Sequence, residues 1–260
     1  MKGTDTIRGV LLDIDGVLHV GMQPVAGATE ALTWLAGNGY RVAFVTNTTT
    51  MKRSTLAERL QAIGLPVEED AIVTAPVATA SYIRATYPDK RCWVISKGDT
   101  TDDFAGIPLT EEDAEVVVIG GAEELLSYET MNKAFRLLMK GAPLLAMHKN
   151  LYWRTTEGLQ LDSGPFVYAL EQATGKQAVV LGKPDRAFFE QALHSLGVEA
   201  SEALMLGDDV VNDVAGAQKA GIRGVLVCTG KYSAGTALPE HIQPDAILPS
   251  IADLPALLQP

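Results

Sequence analysis

The sequence predicts an α/β protein: a doubly wound parallel sheet, with a second α/β module in the middle of the chain. Short apolar runs alternate with helix-length stripes of apolar residues, the pattern of strands joined by crossover helices. The runs are apolar throughout rather than alternating, as expected of strands covered on both faces. The same alternation occupies both ends of the chain, and the stretch between carries its own strands and helices.

The first strand is Val10-Leu11-Leu12-Asp13-Ile14-Asp15-Gly16-Val17-Leu18, an apolar run that ends in two acids and a glycine. Ala28, Ala31, Leu32 and Leu35 recur at helical spacing until Gly37-Asn38-Gly39 stops the helix. Val42–Val45 is the next buried run and ends in Thr46-Asn47; Leu56, Leu60 and Ile63 then mark an amphipathic helix closed by Gly64. Later, Val179-Val180-Leu181 reads as a strand, and Phe189, Ala192, Leu193 and Leu196 as a helical stripe closed by Gly197. Ala203–Leu206 is a strand ending in Gly207-Asp208-Asp209, followed by a helix ending near Gly221 and a strand at Val225–Val227.

In the middle, Cys92–Ile95, Val116–Ile119 and Leu144–Met147 read as strands. Helices are expected around Met131, Phe135 and Leu138, and around Phe166, Leu170 and Ala173. The expected domains are a catalytic core of residues 1–75 plus 179–260 and an inserted domain of residues 76–178. There is no Pro- or Ser-rich linker and no internal repeat.

With 260 residues, 47% of them hydrophobic and 20% charged, the chain has the composition of an ordinary globular protein with a substantial core. The formal net charge of −11 argues against a broad surface for a nucleic-acid polymer or an anionic membrane, while leaving room for a local phosphate pocket. Cys92 and Cys228 form no disulfide framework, and neither has a neighbouring His or Cys to suggest zinc. With no spanning stretch and no apolar leader core in Met1–Thr6, a reducing, cytoplasmic location is expected.

Four polar clusters fall at or just beyond predicted strand ends: Asp13/Asp15, Thr46/Asn47, Lys183-Pro184, and Asp208/Asp209 with Asp213. Ligands of open parallel sheets bind outside those ends. Side chains alternate along a strand, so Asp13 and Asp15 are expected on one side, where their repulsion calls for a cation or a retained proton. The residue types suit phosphoryl transfer, which depends on positioning and charge neutralisation. Asp13 and Asp208 are suitable ligands for a hard divalent ion, and Lys183 supplies a compact positive charge. The Thr46 hydroxyl and the Asn47 backbone N–H can donate to phosphate oxygens. Asp13 could then attack phosphorus, and Asp15 protonate the leaving oxygen and afterwards activate water. Each cluster also has a plainer reading. Asp13-Ile14-Asp15-Gly16 could be a solvated turn, Thr46–Thr49 an N-cap, Lys183-Pro184 an exposed loop, Gly207-Asp208-Asp209 a helix cap, and Asp213 a first-turn acid.

Together these motifs resemble the haloacid dehalogenase-like hydrolase superfamily. Asp13-Ile14-Asp15-Gly16-Val17-Leu18 resembles its first motif, Thr46-Asn47 its second, Lys183-Pro184 its third, and Gly207-Asp208-Asp209 with Asp213 its fourth. The long insertion between the second and third is similar to that of NagD-like members, subfamily IIA, with a C2-type cap. Phe135–Leu138, Gly141–Leu144, His148-Lys149, Gly164–Val167 and Gly230–Tyr232 carry a narrower likeness to one group within that branch. The resemblance implies a Rossmann-like core with an inserted cap and Mg2+ as cofactor. It implies Asp13 as nucleophile and metal ligand, and Asp15 as acid/base and a metal ligand through its carbonyl. Thr46, Asn47 and Lys183 would hold phosphate, Asp208 would bind metal, and Asp209 and Asp213 would support the site. It further implies a homodimer through the cap. An acid at Asp15 argues against dehalogenation and phosphonate hydrolysis.

The function expected is a Mg2+-dependent phosphatase acting on a small phosphorylated metabolite through an aspartyl-phosphate. Alternatives are a phosphotransferase or mutase, or a phosphate-binding signalling module without turnover. By the same resemblance His148, Lys149 and Asn150 would form a specificity loop, with Lys149 favouring a small anionic leaving group; a solvated loop is the other reading. Tyr152 and Trp153 could stack on a ring or simply pack.

Overall fold

A computed structural model describes residues 7–155 and 158–259, with the side chains of residues 153–159 outside the description. The stretch Met1–Thr6, read above for a leader, and the Trp153 ring lie outside it. In chain order the elements begin β1 (Gly9–Asp13), β2 (His19–Val20), β3 (Gln23–Pro24), α1 (Ala28–Gly37), β4 (Arg41–Thr46) and α2 (Arg53–Ala62). They continue β5 (Ile72–Thr74), α3 (Ala75–Thr86), β6 (Cys92–Ile95), β7 (Val116–Ile119), α4 (Tyr128–Met139), β8 (Leu144–Ala146), β9 (Tyr152–Thr155) and β10 (Gly158–Leu161). Then come α5 (Gly164–Thr174), β11 (Val179–Val180), α6 (Arg186–Leu196), β12 (Ala203–Gly207), α7 (Gly216–Lys219), β13 (Arg223–Val227), β14 (Ala246–Leu248) and α8 (Leu254–Leu258).

These elements make two compact units, one of residues 1–46, 54–73 and 183–260, the other of residues 47–53 and 74–182. The first is built on a six-stranded sheet in the order β14-β13-β12-β1-β4-β5. β1 lies between β12 and β4 and pairs parallel with both, Gly9 opposite Ala203 on one side and Arg41 on the other. All five β1 residues are buried, which explains a run with no polar alternation. α1 and α6 bury the faces read from their spacing, and α6 ends at Gly197 in the left-handed conformation that favours glycine.

The second unit has a four-stranded parallel sheet, β11-β8-β7-β6, and a separate β9–β10 hairpin. Its core joins Val117, Ile119 and Leu144 to Ala134, Leu138, Val167 and Leu170 from α4 and α5.

The structure corrects the expectation for Val179-Val180-Leu181. β11 pairs with β8 rather than extending the larger sheet, and the Leu181 N–H donates to the Ala146 carbonyl at 2.8 Å. Two β-branched residues specify a strand but not which sheet receives it. Lys183 therefore does not follow a strand of the larger sheet.

Among the described residues, no helix is long and apolar enough to cross a membrane.

Candidate active site

β1 stops at Asp13, and a tight turn follows. The Leu18 N–H donates to the Ile14 carbonyl at 2.9 Å, and the Gly16 N–H to the His19 carbonyl at 2.8 Å. Gly16 has φ +83°, and a Cβ there would run into the Asp208 carboxylate and come within 2.9 Å of the Gly230 Cα. Glycine is thus required for both conformation and space. Asp15 belongs to this turn, not to the strand, so the alternation argument does not carry to it. Asp13 is buried, whereas the Asp15 side chain is 72% exposed and faces His19. The carboxylate that crowds Asp13 is Asp208, at the end of β12.

Lys183 fills the space between two acids. Its buried Nζ lies 2.7 Å from Asp13 Oδ1 and 2.7 Å from Asp213 Oδ1. Asp213 is placed by a wide helical turn, Val210–Ala215, that follows β12. Asp213 Oδ2 accepts from the Asp209 N–H at 3.0 Å. Asp209 caps the turn, accepting from the Val211 and Asn212 N–H groups at 3.0 and 2.9 Å. The helix-cap reading of this acid is therefore seen.

Asp13, Asp208 and Asp213 each offer an oxygen within 4.8 Å of the others, a spacing that could hold a metal ion. Burial pushes the Asp13 carboxyl up to about 6; Asp208 adds to the rise and Lys183 opposes it. Burial likewise lifts Asp213 to about 6, and raises Asp208. Burial alone would lower the Lys183 ammonium, but Asp13 and Asp213 outweigh it and hold the group charged. Three acids and one ammonium leave this buried cluster short of positive charge. Asp208 Oδ1 is buried with no hydrogen-bond partner among the described residues, so the donor set fits a hard divalent cation.

Residues 229–232 also build this site, and only the family likeness of Gly230–Tyr232 pointed to them. The Thr229 hydroxyl donates to the Gly16 carbonyl. The Lys231 N–H donates to Asp208 Oδ2 at 2.7 Å, and its ammonium lies 2.9 Å from Asp209 Oδ2. Burial raises the Asp209 carboxyl, but the N–H of Asn212 and the charge of Lys231 bring it below its ordinary value.

Thr46 is buried at the end of β4 in the first unit, and Asn47, next along the chain, opens the second. His148, Lys149 and Asn150 belong to the second unit and have partners there. His148 is buried; its Nε2 lies 3.4 Å from Thr49 Oγ1 and 3.8 Å from Asp162 Oδ1, and its Nδ1 accepts from the Asn150 N–H at 3.3 Å. Burial lowers the His148 pKa, against the opposing pull of Asp162. Lys149 Nζ lies 2.7 Å from Glu171 Oε2 and 3.8 Å from the Tyr168 ring centroid. Tyr152 is exposed.

Residues 10–110 match the family model of the haloacid dehalogenase-like hydrolases, and residues 180–254 a second, HAD-hydrolase-like model. Haloacid dehalogenase-like hydrolase domain-containing protein 2 of Pongo abelii is 43% identical over 248 residues, covering 95% of this chain and 93% of that protein. The human phospholysine phosphohistidine inorganic pyrophosphate phosphatase is 38% identical over 258 residues, covering 97% and 94%. Among solved structures, a p-nitrophenyl phosphatase from Archaeoglobus fulgidus superposes with TM-score 0.90 at 29% identity, covering 96% of this chain and 99% of that one. NagD from E. coli K-12 gives 0.83 at 25%, covering 95% and 98%. With matching family models at both ends and a relative 43% identical along nearly the whole length, the chain belongs to the haloacid dehalogenase-like hydrolase family, in its NagD-like subfamily.

Proposed function

We propose that the protein is a Mg2+-dependent phosphatase that hydrolyses a small phosphorylated molecule through a phosphorylated Asp13. The observation that carries this reading is Lys183, buried and 2.7 Å from both Asp13 and Asp213, next to an Asp208 oxygen with no partner among the described residues. Phosphatase relatives along the whole chain support it.

Asp13 and Asp208 would hold the cation, with the Asp15 carbonyl as a further ligand and Asp213 and Asp209 in support. A bound hard cation would supply the positive charge that lets a phosphate dianion approach a carboxylate. Lys183 balances Asp13 and offers protons to a phosphate oxygen. The Thr46 hydroxyl and the Asn47 N–H serve as further phosphate donors. Asp13 attacks phosphorus while Asp15 gives a proton to the departing oxygen; Asp15 then takes a proton from the water that cleaves the acyl-phosphate. A C2-type cap is the identity we assign to the second unit. Exposed Tyr128 and Met139 on α4 support a homodimer through it, which light scattering tests. Free Cys92 and Cys228 accord with a reducing cytoplasm.

The test is a panel of phosphate esters assayed with and without Mg2+, for the wild type and Asp13→Asn. Turnover that needs Mg2+ and vanishes in the variant is expected; an unaffected variant refutes the mechanism. Labelled water must place solvent oxygen in the released phosphate, since its absence would indicate transfer to another acceptor. A stable aspartyl-phosphate without turnover would indicate a signalling module.

A further inference from the structure

The turn after β1 holds a buried polar side chain that the chemistry above does not use. His19 opens β2, its side chain is 8% exposed, and its Nε2 lies 3.6 Å from Asp15 Oδ1. Its Nδ1 is buried with no hydrogen-bond partner among the described residues.

That asymmetry favours the tautomer with the proton on Nε2. A proton on Nδ1 would have no acceptor, and would turn the Nε2 lone pair towards a carboxylate. A proton on Nε2 faces Asp15 as a donor. The backbone that carries the imidazole is held in place: the His19 carbonyl accepts from the Gly16 N–H at 2.8 Å, and the Val25 N–H donates to the Leu18 carbonyl at 2.9 Å, anchoring the β2–β3 hairpin. Asp15 is 72% exposed, and His19 Nε2 lies beside its carboxyl. A separation slightly beyond hydrogen-bond length is common in ligand-free acid/base sites and shortens when substrate binds.

We propose that His19 is a positioning residue that holds the Asp15 carboxyl through Nε2–H in the orientation from which it delivers its proton. This rests on the phosphatase reading. As the bond from phosphorus to the leaving oxygen breaks and the bond to Asp13 forms, the Asp15 proton passes to the leaving oxygen. His19 keeps its own proton throughout.

The test compares kcat/KM for p-nitrophenyl phosphate, whose leaving group departs without a proton, with an alkyl phosphate, whose leaving group needs one. His19→Leu is expected to lower the alkyl value about tenfold more than the aryl value, a fraction of what general acid catalysis contributes. His19→Gln, whose amide nitrogen can reach the position of Nε2, should recover most of the ratio. An equal fall for both esters, or a folded Gln variant without recovery, overturns the proposal. If the wild type turns over neither ester, or if Asp13→Asn stays active, the phosphatase reading itself fails. If activity depends on Asp13 and the ester ratio is unchanged, only the role of His19 fails.

Discussion

Replacing Lys183 with methionine keeps most of the buried volume and removes the ammonium that Asp13 and Asp213 share. Because volume is conserved, packing should cost little. Removing one partner from a buried ion pair costs about 3–5 kcal/mol, because the remaining charge is stranded. Here the stranded charges can protonate, so the loss depends on pH. Asp13 and Asp213 are already pushed up to about 6 with the lysine present, and rise further without it. A carboxyl raised in the folded state gives its full stabilisation below its unfolded pKa of about 4, and loses it as pH rises through the folded value. At pH 5 the variant keeps both acids neutral; at pH 8 it must either ionise them or hold protons against the solution. Urea unfolding with a chelator present should show a loss of about 3–5 kcal/mol at pH 8. The loss at pH 5 should be smaller by about 1.4 kcal/mol for each unit the acids have risen. A loss that is the same at both pH values, or under about 1 kcal/mol at pH 8, would refute this account of the cluster.

Two further outcomes follow from the same charges. Millimolar Mg2+ should raise the melting temperature more at pH 7.5 than at pH 5, because Asp13, with its carboxyl near 6, must shed its proton before it can bind. Equal shifts at the two pH values would count against this site as the metal site. Lys149→Ala should destabilise the protein by about 1–3 kcal/mol, because it strands a Glu171 side chain that is only 3% exposed. If ester preference changes as well, Lys149 also selects substrate; a stability loss alone makes it scaffold.

The larger sheet was legible where strands are unbroken apolar runs, as in β1, β4, β12 and β13, and the helices where spacing and a terminal glycine agree. α3 was overlooked because its apolar residues form no clear stripe. Its signal lay in the start, where the Thr74 hydroxyl accepts from the Val77 N–H at 3.2 Å and Pro76 occupies the first turn. The β2–β3 hairpin escaped because two-residue strands carry no periodicity. The polar clusters named Asp13, Lys183, Asp208 and Asp213, which the fold does bring together. Which acid presses on Asp13 was not legible, because that depends on β1 ending one residue before the turn that carries Asp15 away. The likeness drew attention to Lys231, but its contact with Asp208 was hidden for a similar reason: it is made by a backbone N–H, which any residue supplies.

The central place of β1 bears on how the chain must be made. Its neighbour β12 begins at Ala203, and the cation for Asp13 is 170 residues downstream. At about 5–20 residues per second, synthesis from Asp13 to Ala203 lasts on the order of ten seconds or more. During that interval β1 can pair with β4 on one side only, and its other edge stays open to any extended chain nearby. Long-range closure of this kind is also slow in refolding, so the same strand that seats the acid stays open to wrong pairing until the carboxyl-terminal half arrives.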